Sequence, residues 1–112
     1  EFKMKQTKLN VIEKAIEEKK GEDIVTINIE EKSPFWSYAV IATMRNSKMA
    51  SSIVDEIQKN LALINEEVRR VDGVNTSSSW VLVDCYDIVV HIFTPEERSR
   101  VNLDELLSKK AK

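Results

Sequence analysis

Apolar residues recur every three or four positions at Leu9, Ile12, Ala15 and Ile16 within Thr7 to Lys20, the stripe of an amphipathic helix, and Gly21 stands where such a helix stops. The period then changes. Asp23 to Ile29 (DIVTINI) is β-branched and alternates at Val25, Ile27 and Ile29, which predicts a strand closed by the charged turn Glu30 to Pro34. Tyr38 to Thr43 (YAVIAT) is almost wholly apolar and predicts a strand covered on both faces in the middle of a sheet. A second helical stripe follows at Ala50, Ile53, Val54, Ile57, Leu61 and Ile64, capped by Asn46 or Ser47 and running to Asn65. Strand, helix and a later strand make a crossover unit.

Glu67 to Val71 reads as a short edge strand, and Asp72 to Ser79 (DGVNTSSS) as a solvent-exposed loop. Trp80 to Asp84 (WVLVD) and Asp87 to Phe93 (DIVVHIF) flank Cys85-Tyr86, a spacing that predicts a tight antiparallel hairpin. Pro95, Glu96 and Glu97 suit the first turn of one last, short helix through Leu103, Leu106 and Leu107. The predicted architecture is a single-domain α/β fold, a mixed sheet of about five strands packed with helices. The domain is expected to span residues 4–108. Glu1-Phe2-Lys3, ahead of Met4, reads as sequence added in front of it, and residues 109–112 as a lysine-rich tail.

If Cys85 and Tyr86 are the loop residues, Asp84 pairs with Asp87, Leu82 with Val89 and Trp80 with His91. One side of the hairpin then carries only aliphatic residues, Val81, Val83, Ile88, Val90 and Ile92, which suit the apolar stripes of the two long helices. The other side carries Trp80, Leu82, Asp84, Asp87, Val89, His91 and Phe93. Large aromatics with a few polar groups make the centre of a protein interface, so this face is the candidate partner-binding surface. A plain structural reading stands beside it: Trp80 and Phe93 covered by the last helix, Asp84 and Asp87 capping a turn. His91, the only histidine, is more often a packing residue in a strand than a catalyst. Phe35, Trp36 and Tyr38 read as an aromatic plug over the core.

Composition narrows the function. The 112 residues carry 17 Lys and Arg against 19 Asp and Glu, a net charge of -2, so no basic field draws the chain to nucleic acid, and direct binding there is expected to be slight. A single cysteine, Cys85, fits a reducing compartment, and neither a membrane-spanning run nor a signal or transit pattern is evident, so a cytoplasmic setting is expected. No metal or cofactor site is expected. The alternative is a metal-dependent nucleotidyltransferase-like enzyme using Asp84, Asp87 and His91, but there is no Gly-rich phosphate loop and no Gly-Ser pair opening a helix. A second alternative is a structural homodimer closed through the mixed hairpin face.

Trp80-Val81, Asp84-Cys85-Tyr86-Asp87, Val89-Val90-His91 and Glu96-Glu97-Arg98 resemble the Trp-Val, Asp-x-Gly-Asp, Val-Val-His and Glu-x-Arg signature of the ribosomal silencing factor (Iojap-like) family. Gly21-Glu22-Asp23-Ile24 and the YAVIAT run fall in the same order, so the resemblance covers roughly Leu9 to Leu107. It implies a mixed sheet of nucleotidyltransferase-like topology without the catalytic set. It also implies binding to ribosomal protein fourteen of the large subunit, obstruction of the small subunit, and lowered translation under nutrient limitation. Dimers are frequent in the family. By position, Trp80, Asp84, Asp87 and His91 carry the motif, and the two carboxylates could meet lysines or arginines of a basic ribosomal protein. The chain departs from the pattern at Tyr86 and Met44, where glycines are usual, at Ser37 in place of Asp, and at Leu107 in place of Trp. A Tyr at positive φ is strained, so either the hairpin loop differs here or the face assignment shifts.

Overall fold

The computed structural model describes residues 2–74 and 78–108, with side chains from Gln6 onward. The chain runs α1 (Phe2–Glu18), β1 (Glu22–Asn28), β2 (Tyr38–Thr43), α2 (Lys48–Ala62), β3 (Arg70–Asp72), β4 (Trp80–Asp84), β5 (Ile88–Phe93), α3 (Pro95–Val101) and α4 (Leu103–Ser108). The lysine-rich tail and residues 75–77 of the loop expected at 72–79 lie outside the described residues. Helix α1 begins five residues ahead of the Thr7 start of its apolar stripe, because Lys, Met and Gln favour helix without leaving a periodic signal.

The strands form one mixed sheet in the order β1-β2-β5-β4-β3. β2 and β5 pair in parallel and the other neighbours are antiparallel, so the predicted crossover through α2 is present. One sheet face, with Val40, Ala42, Val81, Val83, Ile88, Val90 and Ile92, packs on α1 and α2 to form the main core. Burying these aliphatic side chains supplies roughly 1.5–3 kcal/mol each before the cost of ordering them, which makes this layer the chief source of stability. The other face holds a smaller cluster, Ile29, Ala39 and Val89, covered by Ile27, Trp36, Leu82 and Leu107 of α4.

Three boundaries carry physical information. At the end of α1 the left-handed residue is Lys20 (φ 69), not Gly21. The Gly21 N–H donates to Ile16 O and the Lys20 N–H to Glu17 O, the two bonds of a Schellman cap. The glycine supplies room there, since a Cβ on it would stand 2.3 Å from Ile16 Cγ2. At the start of α2 Asn46 acts as the cap, its Oδ1 accepting from the Lys48 N–H at 3.1 Å. The expected single last helix is two helices, because Asn102 adopts φ 50, ψ 48 and ends α3 before α4 begins. Thr94 caps α3 by accepting from the Glu97 N–H, with Pro95 in the first turn as predicted.

The hairpin register differs from the expected one by two residues. The observed pairs are Asp84 with Val89, Leu82 with His91 and Trp80 with Phe93, and the Cys85 N–H donates to Ile88 O at 2.8 Å. Cys85, a small hydrophobe, continues the strand into the main core, fully buried, and Tyr86 and Asp87 form the loop instead. A shift of two keeps every paired side chain on its face, so the division into an aliphatic and a mixed side survives. Asp87 leaves the mixed face.

Candidate functional site

The mixed side of β4 and β5 is partly covered and partly open. Val89 and Phe93 are 1% and 0% exposed, so they support the surface from below rather than offer contact. Trp80 is 38% exposed, and Leu82 and His91 are half-buried beside it. Trp80, Phe93 and His91 form a ring cluster. The Trp80 and Phe93 centroids are 4.9 Å apart, and the His91 and Phe93 rings are stacked at 6.1 Å. On this face Val89 and Phe93 are covered, while Trp80 is not.

Most polar groups on this face bond within the protein. The Trp80 indole N–H donates to His91 Nδ1 at 3.1 Å, which fixes the indole plane and puts the imidazole proton on Nε2. Burial lowers the His91 pKa from 6.5 to about 4, so the ring is neutral at neutral pH and can accept that bond. Asp84 is only 4% exposed. Its Oδ1 accepts from the Trp36 indole N–H at 3.2 Å and from the Tyr86 N–H at 3.0 Å, while Arg69 Nη1 lies 4.0 Å from Oδ2.

Asp87 serves the turn. Tyr86 takes φ 71, and the Asp87 N–H donates to Cys85 O across it, a tight turn that a side chain adopts only under strain. Lys8 of α1, 5% exposed, holds the turn in place. Its ammonium donates to Cys85 O at 2.6 Å and to Asp87 Oδ1 at 2.8 Å, with Glu66 Oε1 at 3.2 Å. Burial alone would lower the Lys8 pKa, but the contacts with Asp87 and Glu66 more than offset it and the net shift is upward. The Tyr86 ring lies over the same ammonium at 5.8 Å, and its hydroxyl donates to Glu67. The strained loop is thus pinned by Lys8 on one side of the sheet and Asp84 on the other.

Lys8, Glu66 and Trp36 were not among the expected site residues. A signal for Lys8 was present, since it stands four and seven residues before Ile12 and Ala15 on the buried stripe of α1, where a charge requires an acidic partner. Phe35, Trp36 and Tyr38 do not form one plug. Tyr38 packs towards the main core and accepts from Gln6 Nε2, Trp36 covers the smaller cluster, and Phe35 is 72% exposed. Arg98 closes the far end of this face, donating to Asp23 O at 2.6 Å, Thr43 Oγ1 at 2.7 Å and both oxygens of Asp104. Met44, at another glycine position of the pattern, is fully buried, and its N–H donates to Phe93 O.

The alternative use of Asp84, Asp87 and His91 as a metal-holding set finds no support in this arrangement. The first carboxylate faces Trp36 and the second faces Lys8. Among the described residues no three His, Cys, Asp or Glu side chains gather in a way that could hold a metal ion. None of the described helices is long and apolar enough to cross a membrane.

Residues 3–112 match the sequence profile of the family described as RsfS, ribosomal silencing factor during starvation. The chain belongs to the ribosomal silencing factor family. It is 33% identical over 98 residues to the silencing factor of Bacillus subtilis, covering 88% of this chain and 82% of that one. With the silencing factor of Halalkalibacterium halodurans the identity is 31% over 101 residues, or 90% and 86% of the two chains. The chloroplastic Iojap protein of Zea mays is 29% identical over 96 residues, which cover 82% of this chain but 40% of that longer one. Two crystal structures share the fold. A protein from Chromobacterium violaceum superposes with a TM-score of 0.86 at 22% identity over 96% of this chain and 88% of its own. One from Bacillus halodurans superposes with a TM-score of 0.78 at 31% identity over 90% and 93%.

Proposed function

We propose that the chain binds the large ribosomal subunit through ribosomal protein fourteen of that subunit, blocks joining of the small subunit and so represses translation under nutrient limitation. It acts in the cytoplasm, without catalysis and without a cofactor. The observation that carries this reading is the open patch of Trp80, Leu82 and His91, an aromatic anchor whose indole N–H is already bonded to the imidazole on the neighbouring strand of the sheet. Such a patch loses little by leaving water and needs no rearrangement to dock. Val89 and Phe93 brace it, and Asp84 and Asp87 hold its turn rather than reach the partner, so the contact is apolar in character.

Sedimentation of the chain with separated subunits, at magnesium concentrations that join them, tests the reading. Co-migration with the large subunit and loss of the joined peak are expected. Trp80→Ala should weaken large-subunit binding by at least about 2 kcal/mol, roughly thirtyfold, while the chain still folds and melts cooperatively. Undiminished subunit joining in the presence of saturating protein would sink the proposal. A homodimer closed over the same patch would have to open first, since one face cannot cover both a second copy and a ribosomal partner.

A further inference from the structure

The segment before β2 is fixed in place yet carries the most exposed aromatic ring of the described residues. Ser33 Oγ accepts from the N–H groups of both Phe35 and Trp36 at 3.1 Å. The Ser33 N–H donates to Ile29 O, and the Ser37 N–H to Asp87 O at 2.7 Å, so the loop is tied to β1 at one end and to the hairpin turn at the other. Trp36 lies on the same small cluster as Leu82, with its indole N–H on the buried Asp84 carboxylate. Phe35 stands edge-on to Trp36 at 6.1 Å, 72% exposed. Holding an apolar ring in water on a rigid loop gains the fold nothing, whereas a pre-ordered ring costs a binding partner little conformational entropy.

We propose that Phe35 is a second anchor of the partner-binding surface, seated there by Trp36 and positioned through it by Asp84. This rests on the reading that the Trp80 patch is the surface itself. Phe35, Trp36, Leu82, His91 and Trp80 form one apolar strip running from the loop before β2 across β5 and β4. Its occupant is the same ribosomal protein, meeting Phe35 with an apolar side chain. A stacked RNA base fits less well, because base stacking on proteins works beside cationic groups that hold the backbone. The nearest lysine of this loop, Lys32, bonds the Leu107 carbonyl instead.

The test measures affinity of the full chain both for isolated large subunits and for purified ribosomal protein fourteen. Phe35→Ala, at an exposed site, should bind both at least tenfold more weakly with an unchanged thermal midpoint. Trp36→Phe, which keeps the apolar ring and removes the bond to Asp84, should also weaken binding, and the double variant should bind no worse than Phe35→Ala alone. Wild-type affinity of Phe35→Ala, alongside weakened Trp80→Ala, would overturn the second anchor and leave the patch standing. Wild-type affinity in both variants would remove the surface as a whole. Weakening seen with the subunit but not with the purified protein would assign Phe35 to ribosomal RNA and overturn the proposed occupant.

Discussion

His91 reconciles burial with polarity by giving up its charge. Its Nδ1 accepts the Trp80 indole proton, and a proton added at that atom would break the bond and place a charge where burial disfavours it. The folded state holds the pKa down near 4 while the unfolded chain titrates near 6.5, so between these values the unfolded chain binds more protons. The stability tied to His91 is therefore complete above about pH 6.5 and is lost as pH falls towards 4. Denaturant unfolding of the chain and of His91→Phe across that range should diverge by on the order of 2 kcal/mol, with the histidine chain showing the steeper loss on acidification. Parallel curves would mean that the imidazole is already free to protonate in the folded protein. The same bond predicts that Trp80 points its ring face, not its N–H, at whatever docks.

Among the elements, the last two helices depend most on a single side chain. Neither α3 nor α4 has a fully buried residue. Arg98 ties them down by bridging the bulge of β1 at Asp23, the end of β2 at Thr43 and Asp104 at the start of α4. The arginine also lowers the Asp104 pKa through its hydrogen bonds. Arg98→Lys keeps the charge but loses the planar fork, and should cost about 1–3 kcal/mol of local stability, read as faster amide exchange in α4 with little change in α1 and α2. Uniform acceleration in every helix would count against a local clamp. The long elements were legible in the sequence, because α1, α2, β2, β4 and β5 carry period-specific apolar stripes that survive any tertiary detail. The break at Asn102 and the turn at Tyr86 were not, since both rest on left-handed residues other than glycine, and the turn at Tyr86 is held by Lys8 from a distant segment. For the candidate site, membership of the mixed face at Trp80, Leu82 and His91 could be read from alternation alone. The internal use of Asp84 and Asp87 could not, because Lys8 and Trp36 come from elements far away in sequence.

At the level of the whole molecule the shape is a slab of 38 × 36 × 20 Å, fully layered by helices on one face and only partly covered on the other. Its net charge of -2 and the internal pairing of Asp84 and Asp87 leave electrostatics little part in docking through the open half. Large-subunit affinity should therefore fall only gently with added salt, with a log–log slope smaller in magnitude than about 2, where a protein gripping six to ten phosphates shows about 5 to 9. A slope in the latter range would place the contact on ribosomal RNA. The parallel pairing of β2 with β5 has a further consequence for how the chain comes into being. β2 has β1 on one edge, but its other edge waits for residues 88–93, which are made only after α2, β3 and β4. Until then Val40, Ile41 and Ala42 belong to an unfinished sheet, and the loop between β2 and β5 must close over a long stretch of chain, a slow step by the logic of contact order. The native sheet, and with it the docking patch on β4 and β5, is therefore expected only once β5 has been made and has joined β2.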